Sequence, residues 1–256
     1  MRITGLVAVF ALAALTAASC LADNRTDGPA ASTAPTPSSA PAKDETAAAR
    51  DSMVALTIEA RGVKDPAVLA AMRTVPRHAF ITRELQPNAY DDRPLPIGER
   101  QTISQPYIVA LMTELAEVAS GEKVLEVGTG SGYQAAVLAQ MGAEVWSIEI
   151  IPALAERARA TLAAQGYAGI HLRAGDGYAG WEDAAPFDAI VVTAAPDHVP
   201  QPLIDQLAVG GRLIIPVGAT YQELIRLTRT KEGVRRESII PVRFVPMTGE
   251  AERDRP

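Results

Sequence analysis

Short apolar runs and longer stretches of helical spacing alternate through most of this chain. The clearest run is Val124, Leu125 and Val127, interrupted by Glu126 one step before its end. Gly128, Gly130 and Gly132 follow, and Tyr133 through Met141 is spaced as a helix. Strand, glycine turn and helix in that order form a binding corner. Glycine lets the backbone approach a ligand closely, and a helix start offers unpaired N–H groups.

The rhythm continues downstream. Glu144–Ile148 is a second predicted strand, ending at Glu149, and Pro152–Gln165 is an amphipathic helix. Ile170–Arg173 is a third strand before Gly175-Asp176-Gly177. Phe187–Thr193 is a fourth, and its unbroken run Ala189-Ile190-Val191-Val192 suits a central strand covered on both faces. Pro202–Leu207 reads as a helix and Arg212–Val217 as a fifth strand. Then Glu223–Thr230, a Lys231-Glu232-Gly233 turn and Val234–Phe244 read as an antiparallel hairpin. The predicted fold class is therefore α/β, with a mostly parallel central sheet and a C-terminal antiparallel hairpin.

Upstream, Ser52–Arg61 is a short helix that Gly62 ends. A second helix starts at Asp65-Pro66, with Asp65 as N-cap, and stops at Val75-Pro76. Tyr90–Arg100, rich in Pro, Asp and Gly, reads as loop. Ile108, Leu111, Met112 and Leu115 then share a helix face, which puts Ser104 at or just before a helix start. Residue chemistry alone favours Ser104 as an N-cap.

The N-terminus changes the picture. Arg2, the apolar run Leu6–Ala18 and Ala17-Ala18-Ser19-Cys20 resemble a secretory signal, and residues 1–22 are read as one. Small residues before Cys20 also resemble a bacterial lipoprotein cleavage site, although Ala17 stands where leucine is usual. Export to the envelope, with possible membrane attachment through a lipidated Cys20, is the expectation; a cytoplasmic location is the alternative. Cys20 is the only cysteine, so no intrachain disulfide exists. Residues 23–50 are Pro-, Ala- and Ser-rich and read as a disordered linker, residues 51–247 as the domain, and 248–256 as a tail. The net charge is −6, which argues against a phosphate-backbone partner, for which a basic face would be required, so no nucleic-acid partner is expected. A monomer is expected.

Ligands of open α/β sheets bind beyond the carboxyl ends of the strands. Glu126, Glu149 and Asp176 fall at or near such ends. Glu149 lies about twenty residues past the first glycine, the spacing of a carboxylate that holds ribose hydroxyls. A nicotinamide dinucleotide or any other adenosine ligand would fit that signal. The glycine spacing, Gly-x-Gly-x-Gly after Glu126, is not the dinucleotide pattern Gly-x-Gly-x-x-Gly. His78 reads as a packing or surface residue, and His171 and His198 lack metal-ligand spacing, so no metal is expected. Asp188 reads as a strand start, and Tyr133, Trp146 and Trp181 as packing residues.

The ordered set Glu126 through Gly132, Glu149, Gly175-Asp176-Gly177 and Phe187-Asp188-Ala189-Ile190 resembles the S-adenosylmethionine-dependent methyltransferases and their Rossmann-like fold. Leu95-Pro96-Ile97-Gly98, Gln101–Pro106, Val124–Tyr133, Phe187–Pro196, Pro216-Val217-Gly218 and Arg243-Phe244-Val245-Pro246 follow in order. Together these are similar to the protein-L-isoaspartate O-methyltransferase family, over about Ser52 to Met247. The resemblance implies S-adenosylmethionine as cofactor and damaged proteins or peptides containing isoaspartyl residues as partners. It makes Ser104 the active-site residue, and Thr102, Glu126, Gly128, Gly130, Gly132, Glu149, Asp176 and Gly177 cofactor contacts. Thr248 would lie near the cofactor, while Glu250–Arg253 does not match clearly. The implied reaction methylates the free α-carboxylate of an isoaspartyl residue; the ester cyclises to a succinimide, whose hydrolysis restores some normal linkage. Competing readings are another methyltransferase on this scaffold, an NAD-dependent oxidoreductase, or a tethered binding protein without turnover.

Overall fold

The computed structural model describes residues 46–253. The signal and lipidation readings, and the linker reading as far as residue 45, lie outside them. Residues 46–50 do not follow the linker reading. Helix α1 (Ala47–Met53) starts inside that stretch, and Arg50 is buried, its Nε donating to the Arg73 carbonyl at 2.5 Å. Ala-rich sequence without proline has high helix propensity, which an average over the proline-rich stretch before it hides. The helical path runs on through a π turn (Val54–Ile58) and a 3₁₀ turn (Glu59–Arg61), and ends at Gly62 in the left-handed conformation. Asp65 caps α2 (Pro66–Thr74), accepting from the N–H groups of Ala67 and Val68.

The stretch Tyr90–Arg100 is not all loop. β1 (Leu95–Gly98) pairs antiparallel with β2 (Gln101–Ile103), with Leu95 opposite Ile103. Glu99 and Arg100 turn the chain with φ of 50° and 59°. A two-residue turn with both φ values positive normally carries Asn-Gly or Asp-Gly, so this turn lacks the usual signature. Helix α3 (Pro106–Ala116) follows.

The main sheet holds β3 (Lys123–Val127), β4 (Glu144–Glu149), β5 (His171–Ala174), β6 (Phe187–Val192), β7 (Leu207–Val217), β8 (Gln222–Arg229) and β9 (Val234–Val242) in the order β5-β4-β3-β6-β7-β8-β9. Strands β5 to β7 in that order pair parallel, and β7-β8-β9 pair antiparallel. Strand β7 starts earlier than its apolar run implied. It reaches back through Gly210-Gly211, and the ladder shifts register between Phe187 and Ala189. The helix read at Pro202–Leu207 is correspondingly α6 (Gln201–Asp205).

Strand alternation sorts the core into two faces. Val124, Val145, Ala189, Val191 and Ile214 pack against Met112 and Ala116 of α3 and against Ala135 and Leu138 of α4 (Tyr133–Gln140). Leu125, Val127, Ile148, Ile190 and Leu213 pack on the other face with Leu203, Met247 and Ala251. The residues read as a tail thus help cover the sheet. Helix α5 (Pro152–Ala164) packs Leu154, Ala158 and Leu162 beside Leu172 of β5. Strand order reverses at β3, with β4 on one side and β6 on the other, and a crevice opens there at the carboxyl ends.

Candidate active site

Strand β3 delivers the chain into the glycine turn at Val127. Gly128 has φ of 96°, and a Cβ there would sit 2.4 Å from Thr193 Oγ1. The Thr193 hydroxyl donates to the Gly128 carbonyl at 2.6 Å, tying the turn to the end of β6. Gly130, with φ of 55°, donates its N–H to Glu149 Oε2 at 2.7 Å. The other Glu149 oxygen accepts the Ile151 N–H at 2.9 Å. An ionised carboxylate offers about four acceptor sites. The backbone takes two, so Glu149 retains acceptor capacity toward the cleft that it lines.

Gly132 departs from the expectation of a cofactor contact. It does not line the cleft. It is the left-handed N-cap of α4, and a Cβ there would meet the Leu162 side chain at 3.1 Å. Its smallness serves helix packing. Gly177 lines the cleft, and close packing also requires it: a Cβ would lie 2.4 Å from Val127 Cγ1.

Glu126 is fully buried, and parallel register sets it beside Ser147 of β4. The Ser147 hydroxyl donates to Glu126 Oε2 and lies 2.5 Å from Thr129 Oγ1. Glu126 Oε1 is buried without a hydrogen-bond partner among the described residues. Burial raises this carboxyl to about 8, and the nearby Glu149 adds to the rise. Glu126 is thus mostly neutral at pH 7. Asp176 also lines the cleft, and both its oxygens are engaged. Oδ1 accepts from Tyr178 N–H at 2.9 Å, and Oδ2 accepts from Glu250 N–H at 2.7 Å. Glu250 opens helix α7 (Glu250–Arg253), so Asp176 anchors the C-terminal segment that sequence matching left unplaced.

Ser104 and Thr102 reach the cleft from β2 and the turn after it. Ser104 is not the N-cap of α3. Gln105 occupies that position, and Asp92 Oδ1 performs the capping by accepting the Tyr107 N–H at 3.0 Å. The Ser104 hydroxyl makes no hydrogen bond to another described residue. It lines both the cleft and an adjoining groove, as do Thr102, Thr193 and Val245.

Several contributors escaped the sequence reading. Asp92 also accepts from Gln105 Nε2 at 2.7 Å and from Arg61 at 2.9 Å, holding the Ser104 turn against the helical N-terminal region. Its sequence signal was one of two adjacent acids, Asp91 and Asp92, in a stretch of loop-forming residues. Ser147 was the single polar residue inside an apolar strand. Ala195 exchanges 2.8 Å backbone bonds with Val245 and Met247, which brings Val245–Thr248, Thr248 included, to the cleft wall.

The remaining polar candidates serve packing. His78 lies 2.7 Å from the Tyr90 hydroxyl, and His171 stacks on Trp146 at 4.7 Å. Asp188 accepts the Lys123 N–H at 2.9 Å where β3 and β6 start. Among the described residues, no group of three His, Cys, Asp or Glu is placed to hold a metal ion.

The cleft is walled by β2, by the carboxyl ends of β3 and β4, by Thr193 after β6 and by Val245–Thr248. Glu126, Glu149 and Asp176 line it, and no described Lys, Arg or His does. A dinucleotide pyrophosphate would find carboxylates and no cation. An adenosine ligand carrying positive charge and no phosphate fits this donor and acceptor set.

Comparison with known proteins agrees with that chemistry. Residues 48–252 match the profile of the family described as protein-L-isoaspartate(D-aspartate) O-methyltransferase. A protein-L-isoaspartate O-methyltransferase of Gloeobacter violaceus is 59% identical over 204 residues, covering 79% of this chain and 100% of the relative. A solved protein-L-isoaspartate O-methyltransferase superposes with a TM-score of 0.73 at 29% identity, covering 79% of this chain and 67% of that one. A putative Plasmodium falciparum member, solved with S-adenosyl-L-homocysteine, gives 0.69 at 26% identity over 78% of this chain and 98% of its own. From its sequence match and its fold, the chain belongs to the protein-L-isoaspartate(D-aspartate) O-methyltransferase family.

Proposed function

We propose that the cleft over the glycine turn seats S-adenosylmethionine and that Ser104 presents the acceptor carboxylate to it. The chain is an S-adenosylmethionine-dependent O-methyltransferase. It methylates the free α-carboxylate of isoaspartyl residues in damaged proteins, and the ester so formed opens the route to repair. The observation that carries the site assignment is the position of Ser104, with Thr102, on the boundary between the cleft and the adjoining groove.

When bound, S-adenosylmethionine supplies a methyl group on a sulfonium centre. The chain's own residues have three tasks. Gly128 and Gly130 let the turn come close, and the free acceptor sites of Glu149 take ribose hydroxyls. Glu149 and Asp176 line a cleft that no described Lys, Arg or His enters, which suits a sulfonium ligand. Ser104, with its hydroxyl uncommitted, orients the incoming carboxylate. A carboxylate is already ionised at neutral pH, so no general base is required. Rate then comes from holding two groups in line and excluding water, which reaches roughly 7–11 kcal/mol in well-oriented systems. Ser104→Ala should lower methyl transfer to an isoaspartyl peptide at least tenfold, an order-of-magnitude figure equal to about 1.4 kcal/mol of lost orientation. Affinity for S-adenosylhomocysteine should stay within a factor of two or so. Unchanged turnover would place the acceptor elsewhere.

We further infer export of the domain on its N-terminal segment, with Cys20 as the site of lipid attachment and the enzyme acting as a monomer. Arg2, Leu6–Ala18 and the small residues before Cys20 support this, and the family match starts only at residue 48. An exported enzyme would need its cofactor supplied in that compartment. Fractionated cells assayed for methyl transfer test location and activity together, and activity confined to the cytosol would refute export. Light scattering tests the monomer.

A further inference from the structure

The groove beside the cleft carries charge that methyl transfer itself does not require. Arg61, Pro94 and Gln105 line it together with the segment from Ile240 to Val245. Its charged lining residues are Arg61 and Arg243, and no described Asp or Glu lines it. This stands out in a chain of net charge −6 and beside a cleft lined by carboxylates.

The two arginines differ in their surroundings. The Arg61 guanidinium lies 3.4 Å from the Tyr107 ring centroid and pairs with Asp92 at 2.9 Å, so it is held in place and partly neutralised. Arg243 is exposed and has no ion pair or hydrogen bond with another described residue. Its backbone is nonetheless well anchored. The neighbouring Phe244 donates its N–H to Gln222 Oε1 at 2.5 Å and accepts from Gln222 Nε2 at 3.1 Å. An unpaired guanidinium on an anchored wall beside Ser104 offers N–H donors in the fork geometry that matches a carboxylate.

Two carboxylates are candidates: the acceptor itself, or an acidic side chain near it. Arg61 and Arg243 line the groove but not the cleft, whereas Thr102 and Ser104 line both. The arginines therefore lie on the acceptor's approach and not at the transfer point. A guanidinium paired to the acceptor would also make it a poorer nucleophile. We propose that the polypeptide flanking the isoaspartyl residue lies in this groove and that Arg243, with Arg61 beside it, selects flanking sequence carrying acidic side chains. The proposal rests on the reading of Ser104 as the acceptor point.

Matched isoaspartyl peptides carrying Glu, Gln or Lys beside the damaged residue test it with the full chain. At low ionic strength kcat/KM should fall in the order Glu, Gln, Lys. Glu should lead Gln by about 1.5- to 5-fold, the worth of one exposed charge pair. Added salt should compress the series toward a single value. Arg243→Glu should reverse the order, with S-adenosylhomocysteine affinity confirming that this variant is folded. Equal kcat/KM for the Glu and Lys peptides in low salt would overturn the proposal. So would an Arg243→Glu variant that lowers all three peptides alike, because Arg243 would then be holding the acceptor. If none of the three peptides is methylated, the acceptor assignment fails and the proposal fails with it.

Discussion

Glu126 sets a pH dependence that can be worked out in advance. The perturbation is Glu126→Gln, which keeps an acceptor for the Ser147 hydroxyl and removes the titration. In the fold the carboxyl is raised from 4.5 to about 8, chiefly because burial penalises its charged form. The folded state therefore holds a proton that the unfolded chain releases between those values. The Glu126 contribution is fully present below pH 4.5 and is lost as pH rises through about 8. One proton of difference corresponds to a slope of about 1.4 kcal/mol per pH unit. That slope follows from the proton count, and the height of the raised value sets only where it ends. Urea unfolding of the wild type and of Glu126→Gln, from pH 5 to pH 8.5, gives a difference curve free of most other groups. It should fall by about 1.4 kcal/mol per unit across the middle of that range. A difference curve level with pH would refute the reasoning, since Glu126 would then be ionised in the fold or neutral in both states.

Other expectations follow from the same geometry. Gly128→Ala should cost about 1–2 kcal/mol from its left-handed backbone, and about 0.5–1.5 kcal/mol more by displacing the Thr193 hydroxyl. In a Thr193→Ala background the second part should vanish, because the next atom stands at 3.7 Å; a double-mutant cycle by urea unfolding reads the coupling, and strict additivity would contradict it. Asp92→Ala removes the cap of α3 and should cost about 0.5–2 kcal/mol of stability. It should also lower kcat while sparing S-adenosylhomocysteine affinity, because Asp92 holds the Ser104 turn and lies outside the cleft lining. Glu149→Ala strips acceptors from Gly130 and Ile151 as well as from a ribose, so calorimetry should show cofactor affinity falling by about 1.5–3 kcal/mol or more. Unchanged affinity would remove Glu149 from the cofactor site.

Much of the architecture is legible in the sequence because its signals are local. The apolar run at Val124–Val127, the glycines after it and the helical spacing after Gly132 each depend on neighbours within a turn or a strand. The parallel strands and the C-terminal hairpin came through for that reason, with ends displaced by a few residues. Two local signals misled. The Pro-rich composition before residue 46 hid the start of α1, and Glu99-Arg100 turns the β1-β2 hairpin without the expected glycine.

The candidate site divides along the same line. Glu126, Glu149, Asp176 and the glycines were recognisable from spacing, but spacing could not distinguish their tasks. Gly128 and Gly132 look alike in sequence, yet one lines the cleft beside Thr193 and the other packs on Leu162 of a different helix.

By itself, then, the sequence determined the α/β order, the glycine corner and the ordered motifs that point to methyl transfer. Only the tertiary structure decided that Ser147 bonds Glu126, that Asp92 rather than Ser104 caps α3, and that Asp176 anchors Glu250 from 74 residues away. The physical reason is that backbone conformation responds to adjacent residues. Burial of a carboxyl, the partner of a hydroxyl and the space beside a glycine depend instead on chain segments that meet only when the sheet closes.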